Sequence, residues 1–355
     1  MVNILVSGSG IAGTVLAYWL RERGHTPTVV EKAAAPRRGG QAVDIRGVAL
    51  EVAERMGVRD RAHELRTRLR GMSMVDGDGK ELMRTTETTI SGGPLDSPDI
   101  EIMREDLMTI LLETTMGVEY RYGDSIAAVD GGRVRFESGR EEVYDHVVGA
   151  DGLHSNVRRL VFGEQELEHL GMYVSIFTTD NFLGLDRWQT WYREGEAGCG
   201  IYSVPGNERM LVNLGFGGPE RVEYDHRDVQ AQRRLVAERC AGMRWEGPRL
   251  IKAMWESDDF YFDAAAQVHL DRWTRDGVSL VGDAGYCASL LSGQGTSLAM
   301  VGAYVLAEEL SSGTAERYEE RMRPFVALNQ ALAKENPGGP ASEESVARAA
   351  NAITL

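Results

Sequence analysis

Residues 2–31 read VNILVSGSGIAGTVLAYWLRERGHTPTVVE, and this stretch decides the fold. Residues 2–7 predict a buried strand, because aliphatic and β-branched side chains follow one another with little polar alternation. Residues 11–23 carry apolar side chains at helical spacing and end before Gly24, which is typical of a helix with a glycine cap. Residues 26–31 predict a second strand. The stretch therefore predicts a βαβ unit.

The glycines between the first strand and the helix form the pattern GxGxxG at Gly8, Gly10 and Gly13. The first permits a tight turn, the second lets the backbone approach a pyrophosphate, and the third lets the helix pack closely. Glu31 ends the second strand, where its carboxylate can accept hydrogen bonds from a ribose and would repel a 2′-phosphate. The pattern predicts a dinucleotide site; the alternative is a tight turn without a ligand.

Two further motifs follow predicted buried strands. One is DGLHSNVR at residues 151–158, in which we interpret His154 as a loop histidine; the other starts at Gly282-Asp283 and runs into GQGTS at residues 293–297. A carboxylate at the end of a parallel strand can bind polyol hydroxyls. A glycine-rich helix N-terminus can direct N–H groups at an anionic ring or carbonyl.

Together these motifs resemble those of the class A flavoprotein monooxygenases, the para-hydroxybenzoate hydroxylase-like aromatic hydroxylases that include tetracycline-inactivating enzymes. The resemblance covers residues 2–330. It implies FAD as the bound cofactor, NAD(P)H as a transient reductant and a flavin C4a-hydroperoxide as the oxygen donor. The cofactor-binding residues that it implies are Gly8, Gly10, Gly13, Glu31, Lys32, Gln41, Arg46, Arg104, Asp151, Gly152, Arg158, Asp283, Gly293, Gln294, Gly295 and Thr296.

The resemblance also assigns places along the cofactor. It implies that Arg104 lies near the phosphates or the ribityl chain, that Asp283 holds the ribityl chain, and that residues 293–295 face the flavin pyrimidine. Gln41 would lie beside the isoalloxazine, and Arg46 with Asp44 would reach the same cavity.

The chain departs from this family in three places. Gly285 and Tyr286 stand where the family has Ala-His, and Leu290 stands where it has a proline that shapes the flavin loop. The segment after residue 336 is also short for a final helix that covers the active site.

We predict an α/β fold with a Rossmann-like FAD-binding domain built on a parallel sheet, a small β-meander over residues 118–144, an inserted and mostly antiparallel β-sheet domain, and C-terminal helices. The FAD-binding domain is predicted at residues 1–170 and 271–330, the substrate domain at 171–270 and a helical tail at 331–355.

Aromatic residues are concentrated in the predicted substrate domain and could line a pocket for an aromatic substrate. An aromatic stripe on alternating strands is more often core than ligand surface, so both interpretations stay open. The candidate substrate-binding residues are Trp188, Tyr192, Tyr202, Phe216 and Leu290.

The composition excludes other classes of function. The 355 residues include 39 basic and 54 acidic side chains, a net charge of −15, which argues against nucleic acid as a partner because such binding is driven by cations. Three cysteines without a CxxC pair support neither a disulfide framework nor a metal site. We expect a cytoplasmic monomer or weak homodimer that does not bind a membrane.

The predicted function is FAD-dependent hydroxylation of an aromatic or polycyclic small molecule with NAD(P)H and O2, in secondary metabolism or antibiotic modification. One alternative is a flavin oxidase or dehydrogenase, which Leu290 and the short tail favour. Another is a non-redox cyclase or binding protein that keeps FAD as a structural group. The sequence identifies no acid or base, since the cofactor supplies the chemistry.

Overall fold

The computed structural model describes residues 1–37, 39–218, 221–336 and 339–355. Its strands form several consecutive runs that are separated by helices. In chain order they are β1 (Asn3–Ser7), β2 (Thr26–Glu31), β3 (Ala42–Ile45), β4 (Met72–Val75), β5 (Glu81–Thr85), β6 (Thr88–Thr89), β7 (Gly93–Pro94), β8 (Ile100–Met103), β9 (Glu119–Tyr122), β10 (Ile126–Asp130), β11 (Arg133–Phe136), β12 (Glu141–Val143), β13 (His146–Gly149), β14 (Glu168–Asp180), β15 (Gln189–Glu194), β16 (Ala197–Ser203), β17 (Arg209–Gly217), β18 (Tyr261–Gln267), β19 (Thr274–Arg275) and β20 (Val278–Leu280).

The helices lie mainly in the first and last thirds of the chain. They are α1 (Ile11–Glu22), α2 (Val48–Arg55), α3 (Arg59–Glu64), α4 (Arg104–Thr114), α5 (Asn156–Phe162), α6 (Val229–Arg239), α7 (Gly247–Glu256), α8 (Asp283–Tyr286), α9 (Gly295–Ser312), α10 (Ala315–Glu335) and α11 (Glu343–Ala350), with a 3₁₀ turn at Leu290–Ser292. Within the described ranges, no helix has the length and apolar character needed to cross a bilayer.

The predicted βαβ unit is the centre of a six-stranded sheet in the order β19-β20-β13-β1-β2-β9. Strand β1 pairs in parallel with both β2 and β13, and β20 pairs in parallel with β13, so the carboxyl ends of four strands meet at one edge. Strand β9, which the sequence placed in the meander, joins this sheet beside β2; the meander itself consists of β10, β11 and β12.

The second large sheet has seven strands in the order β18-β14-β17-β16-β15-β4-β5. Two of them, β4 and β5, come from the segment assigned to the FAD-binding domain rather than from residues 171–270. Strand β4 pairs in parallel with β15, a contact between residues more than 100 positions apart. One face of the sheet packs against α6 and α7, and the other faces the short β3–β8 ribbon.

The largest core lies between the parallel sheet and helices α1, α9 and α10. The C-terminal helices belong to this core, and α10 continues across residue 330, the predicted domain boundary. Ser342 caps α11, because its hydroxyl accepts a hydrogen bond from the Ser345 N–H.

Alanine usually stabilises a helix more than glycine does, but we expect the opposite at Gly302 in α9. A Cβ there would overlap the hydroxyl of buried Tyr286. Gly302→Ala should therefore lower the free energy of unfolding by about 1 to 3 kcal/mol, measured by urea denaturation, instead of raising it. The same substitution in a Tyr286→Phe background should cost less, because the overlapping oxygen is gone. Equal costs in both backgrounds would contradict this packing.

Candidate functional site

The glycine turn between β1 and α1 has one open position. Gly8 has a φ of 107°, and a Cβ on Gly8 would overlap the carbonyl oxygen of Ala150, while a Cβ on Gly13 would overlap that of Gly8. A Cβ on Gly10 would meet nothing within 4 Å. Gly8 and Gly13 are therefore required by the fold itself, and Gly10 leaves room where a ligand can approach the backbone.

Glu31 at the end of β2 is fixed beside this turn. Its carboxylate accepts hydrogen bonds from the Ser9 N–H at 2.9 Å, the Ser9 hydroxyl at 3.2 Å and the Ala33 N–H at 2.9 Å. The side chain is only partly buried, and Lys32 after it is exposed. The acid thus lies at the place where the ribose of a dinucleotide would meet the end of β2.

Asp151 caps α5 and Arg158 joins two loops. The Asp151 carboxylate accepts hydrogen bonds from the backbone N–H groups of Asn156 at 2.9 Å and Val157 at 3.1 Å, so much of its capacity is used inside the protein. The buried Arg158 guanidinium donates to the carbonyl oxygens of Leu153 at 2.6 Å and Ala284 at 2.9 Å. Arg158 therefore ties the loop after β13 to the loop after β20.

Asp283 lies at the same edge of the parallel sheet as the glycine turn. It begins α8, and the preceding Gly282 approaches Ala12 of α1 closely. The side chain is accessible to solvent although Ala284 after it is buried. Although Asp283 is exposed, the dense protein on its other sides reduces its solvation and raises the pKa of its carboxyl; a hydrogen bond from Cys287 opposes this shift, Asp263 adds to it and Arg158 opposes it. In α/β folds ligands bind in the crevice outside the carboxyl ends of parallel strands, and a carboxylate there can accept hydroxyl groups from a ligand.

The N-terminus of α9 forms the wall next to Asp283. Gly293 adopts the left-handed conformation with φ 64°, which lets the chain turn into the helix at Gly295. The Ser297 hydroxyl joins this first turn to β3 by accepting from the Arg46 N–H at 3.0 Å. The buried amide of Gln294 has no hydrogen-bond partner for Nε2 or Oε1 among the described residues. Thr296 is buried in the first turn.

Arg104 supplies a cation whose charge interacts with those of Glu31 and Arg37. Its backbone N–H donates to the Gln41 carbonyl at 3.0 Å, and its side chain packs against Gly40. Burial lowers the pKa of Arg104, with a further contribution from the charge of Arg37. One guanidinium nitrogen of Arg104 is buried without a hydrogen-bond partner among the described residues. The residues present therefore fit an anionic, multi-part cofactor such as FAD.

A buried charged cluster lies between β3 and β8. Asp44 and Arg46 form an ion pair at 3.0 Å, and both are at least nine-tenths buried. The half-buried Glu101 accepts a hydrogen bond from the Thr67 hydroxyl at 2.5 Å. Burial raises the pKa of Asp44 to about 7; Arg46 opposes this shift and the other acids, Glu101 and Asp99, add to it. This cluster faces the seven-stranded sheet.

Asp44 should make stability depend on pH. The pKa of Asp44 is about 7 in the folded chain and about 4 in the unfolded chain. Protonated Asp44 therefore contributes to the free energy of unfolding below pH 4, and this contribution is lost as the pH rises through 7. Relative to Asp44→Asn, the wild-type chain should lose about 1 to 3 kcal/mol in its free energy of unfolding between pH 5 and pH 8. Urea denaturation at both pH values measures this. A wild-type-to-variant difference that does not change with pH would contradict the buried acid.

The seven-stranded sheet separates the predicted substrate residues. Tyr202 faces β3 and accepts a hydrogen bond from the Ala42 N–H at 3.1 Å, and Leu290 is exposed beside the α9 loop. Tyr192 and Phe216 lie on the opposite face, in the core with α6 and α7. Trp188 borders a separate outer cavity of about 280 Å³. The structure therefore does not bring Tyr192, Phe216 or Trp188 to the β3 side of the sheet.

Residues next to these positions were missed by the sequence reasoning. Gln189 is fully buried on the β3 side, where it donates to the Ser91 hydroxyl and accepts from the Trp191 indole at 3.0 Å. The alternation along β15 could have indicated that Gln189 and Trp191 share a face, but not which face meets the crevice.

His154 has a partner that the sequence reasoning also missed. Its Nε2 lies 3.1 Å from both oxygens of buried Asp263, which also accepts from Tyr224 at 2.6 Å and Tyr261 at 2.9 Å. Burial raises the pKa of Asp263, but the hydrogen bonds and charge of His154, with the two tyrosines, outweigh it and lower the pKa. His154 therefore joins the first domain to the edge strand β18 and is more than a loop histidine.

The fold and the site define a class of two-domain cofactor-binding α/β proteins. The class is marked by a dinucleotide turn, a second acid at the edge of the same parallel sheet and a large sheet that faces this edge. Residues 1–326 match the family model described as an FAD binding domain. The chain belongs to this family.

Similar proteins agree with this assignment. A flavin-dependent monooxygenase from Legionella longbeachae is 40% identical over 93% of this chain and 87% of the relative. An uncharacterized protein from Mycobacterium tuberculosis is 46% identical over 100% of this chain and 99% of the relative. The crystal structure of the tetracycline destructase Tet(51) is 34% identical, with a TM-score of 0.91 over 100% of this chain and 99% of that one.

These findings confirm four predictions: the α/β fold class, FAD as the cofactor, the resemblance to class A flavoprotein monooxygenases, and the function of an FAD-dependent monooxygenase. The roles predicted for individual residues remain proposals.

Proposed function

We propose that this FAD-dependent monooxygenase uses NAD(P)H and O2 to hydroxylate an aromatic or polycyclic small molecule. The observation that carries the proposal is that the open position at Gly10 and the exposed acid Asp283 lie at the same edge of the parallel sheet. Strand β3 links the first turn of α9 to the seven-stranded sheet, through hydrogen bonds to the hydroxyls of Ser297 and Tyr202. When bound and reduced, FAD supplies the electrons that activate O2, and the protein supplies orientation and a dry site.

The chain offers a separate group for each part of FAD. The open backbone at Gly10 and the N-terminus of α1 would receive the pyrophosphate, and Glu31 the adenosine ribose. Asp283 would accept the ribityl hydroxyls, and Arg104 would balance the phosphate charge. Of the remaining implied residues, Arg158 ties the two loops together, and the first turn of α9 would present N–H groups to the ring.

The substrate would lie between the flavin end of the crevice and the seven-stranded sheet. This wall carries polar groups in an apolar surround: Gln189 and Tyr202 on the sheet, and the Asp44–Arg46 pair opposite them. Such an arrangement suits a ring system with several oxygen substituents, since each buried polar group needs a partner. The similarity to a tetracycline destructase supports a polycyclic substrate of this kind.

A second candidate is a flavin oxidase or dehydrogenase, which inserts no oxygen. Leu290 favours it, because this exposed side chain stands where the flavin loop of the family has a proline. A cyclase or binding protein that keeps FAD as a structural group is a third. We also propose a monomer or weak homodimer.

The test is incubation of the purified protein with tetracycline, NADPH and ¹⁸O₂, followed by mass spectrometry. We expect product that is heavier by one ¹⁸O atom, and NADH in parallel reactions establishes the coenzyme preference. Product formed without label would support the oxidase or dehydrogenase. Turnover with the flavin kept oxidised and NAD(P)H left out would support the non-redox alternative.

A further inference from the structure

The loop between β20 and α9 contains a strained residue. Ser289 is 4% exposed and has φ 75° and ψ 150°, a region that is occupied almost only by glycine. Directly after Ser289, the chain forms the 3₁₀ turn Leu290–Ser292 and continues through Gly293 into α9. A strained residue persists only where its surroundings over-determine its conformation, so something must hold this loop.

Two glutamine side chains hold the residues before Ser289. The Gln330 amide on α10 donates to the carbonyl oxygens of Cys287 at 3.2 Å and Val268 at 2.9 Å. The Gln267 amide at the end of β18 donates to the Ala288 carbonyl at 3.1 Å. Gln267 is fully buried, and its amide also donates to the Gln330 carbonyl at 2.7 Å. Each glutamine therefore donates to the stretch of chain that carries the other one. Together they also donate to the consecutive loop carbonyls of Cys287 and Ala288.

The contact continues to the end of the chain. Asn329, the neighbour of Gln330 on α10, is fully buried and donates to the Ala349 carbonyl of α11 at 3.1 Å. Helix α11 also packs closely against Gly47, just after β3. The short C-terminal segment thus supports the helix that carries Gln330.

We propose that Gln267 and Gln330 are positioning residues that hold the strained loop 287–293 in place for the cofactor. Their hydrogen bonds fix the backbone that leads into the strained residue Ser289. Leu290 is compatible with proline, because it is the first residue of a 3₁₀ turn and its N–H lies outside that turn's hydrogen bonds. The cofactor part of this inference rests on the proposed function; the support of the loop does not.

The test is hydrogen–deuterium exchange on the full chain without added FAD, comparing wild type with Gln330→Met. The variant should exchange the amide hydrogens of Ser292 and Gly293 about tenfold faster or more, because the loop carbonyl of Cys287 and the neighbouring carbonyl of Val268 lose a buried donor. The matched control is Gln232→Met on α6, a 3% exposed glutamine that also donates to a carbonyl, that of Asp225. It should leave the loop unchanged.

Rescue distinguishes positioning from general packing. Leu290→Pro in the Gln330→Met background should slow the exchange of loop amides again and restore FAD affinity, measured by flavin fluorescence, while Leu290→Pro alone should change little. If Gln330→Met does not fold, Gln330→Asn keeps the polarity but shortens the reach. Loop exchange equal to wild type in the folded variant, or faster loop exchange with unchanged FAD affinity, would overturn the proposal. A wild-type chain that fails to bind FAD contradicts the proposed function instead.

Discussion

Gly10→Ala should abolish most FAD binding without harming the fold. The φ of −74° and ψ of −172° at Gly10 are allowed for any residue, and a Cβ there meets no protein atom within 4 Å. The same Cβ would occupy the space through which a pyrophosphate reaches the backbone N–H groups of α1. We expect the dissociation constant for FAD to rise about a hundredfold, measured by flavin fluorescence, with thermal unfolding of the apoprotein unchanged.

Gly13→Ala is the matched comparison. Its Cβ would overlap the Gly8 carbonyl oxygen, so this substitution should lower both stability and FAD affinity. If Gly10→Ala bound FAD as tightly as wild type, the pyrophosphate would not lie on this turn. If the Gly10→Ala variant unfolded at as low a temperature as Gly13→Ala, this result would contradict the open space around Gly10.

Asp283→Asn should weaken FAD binding at the other end of the crevice. A carboxylate accepts hydroxyl groups more strongly than an amide, and hydrogen bonds to charged groups contribute about 1.5 to 3 kcal/mol. We therefore expect the dissociation constant for FAD to rise by about tenfold to a hundredfold. Asparagine has nearly the same shape, and burial disfavours the ionised form of Asp283, so the apoprotein should be as stable as wild type or slightly more so.

The control for Asp283 is Asp276→Asn, in the exposed turn between β19 and β20. It lies on the same stretch of chain and removes the same charge from the protein, but it is remote from the crevice. Equal losses of FAD affinity in the two variants would show that overall charge, and not a contact at Asp283, controls binding.

The sequence was sufficient wherever a feature is local. The turn at Gly8 to Gly13 and the acid at Glu31 depend on neighbouring residues, and both were predicted with their structural context. The pairing of β4 with β15 could not be predicted, because it joins segments far apart and no pattern within β4 identifies its partner.

The face of the seven-stranded sheet that would meet the substrate could not be predicted from the sequence either. Tyr192 and Tyr202 are both aromatic residues on neighbouring strands, yet they face opposite sides of the sheet. Strand alternation separates the two faces, but only the packing of α6 and α7 decides which face is covered. Gln267 did carry a signal, since a glutamine that ends a run of three alanines in a strand needs a buried partner, but the partner on α10 could not be read from it.

Calorimetric titration of the apoprotein with FAD and, separately, with FMN tests the central claim most directly. Because we propose that the adenosine end of the cofactor lies on the glycine turn and the flavin end beside Asp283 and α9, we expect one FAD bound per chain and much weaker binding of FMN. Gly10→Ala should bring the affinity for FAD down towards that for FMN. Binding of FMN as tight as that of FAD, or no binding of either, would contradict a cofactor that spans the crevice.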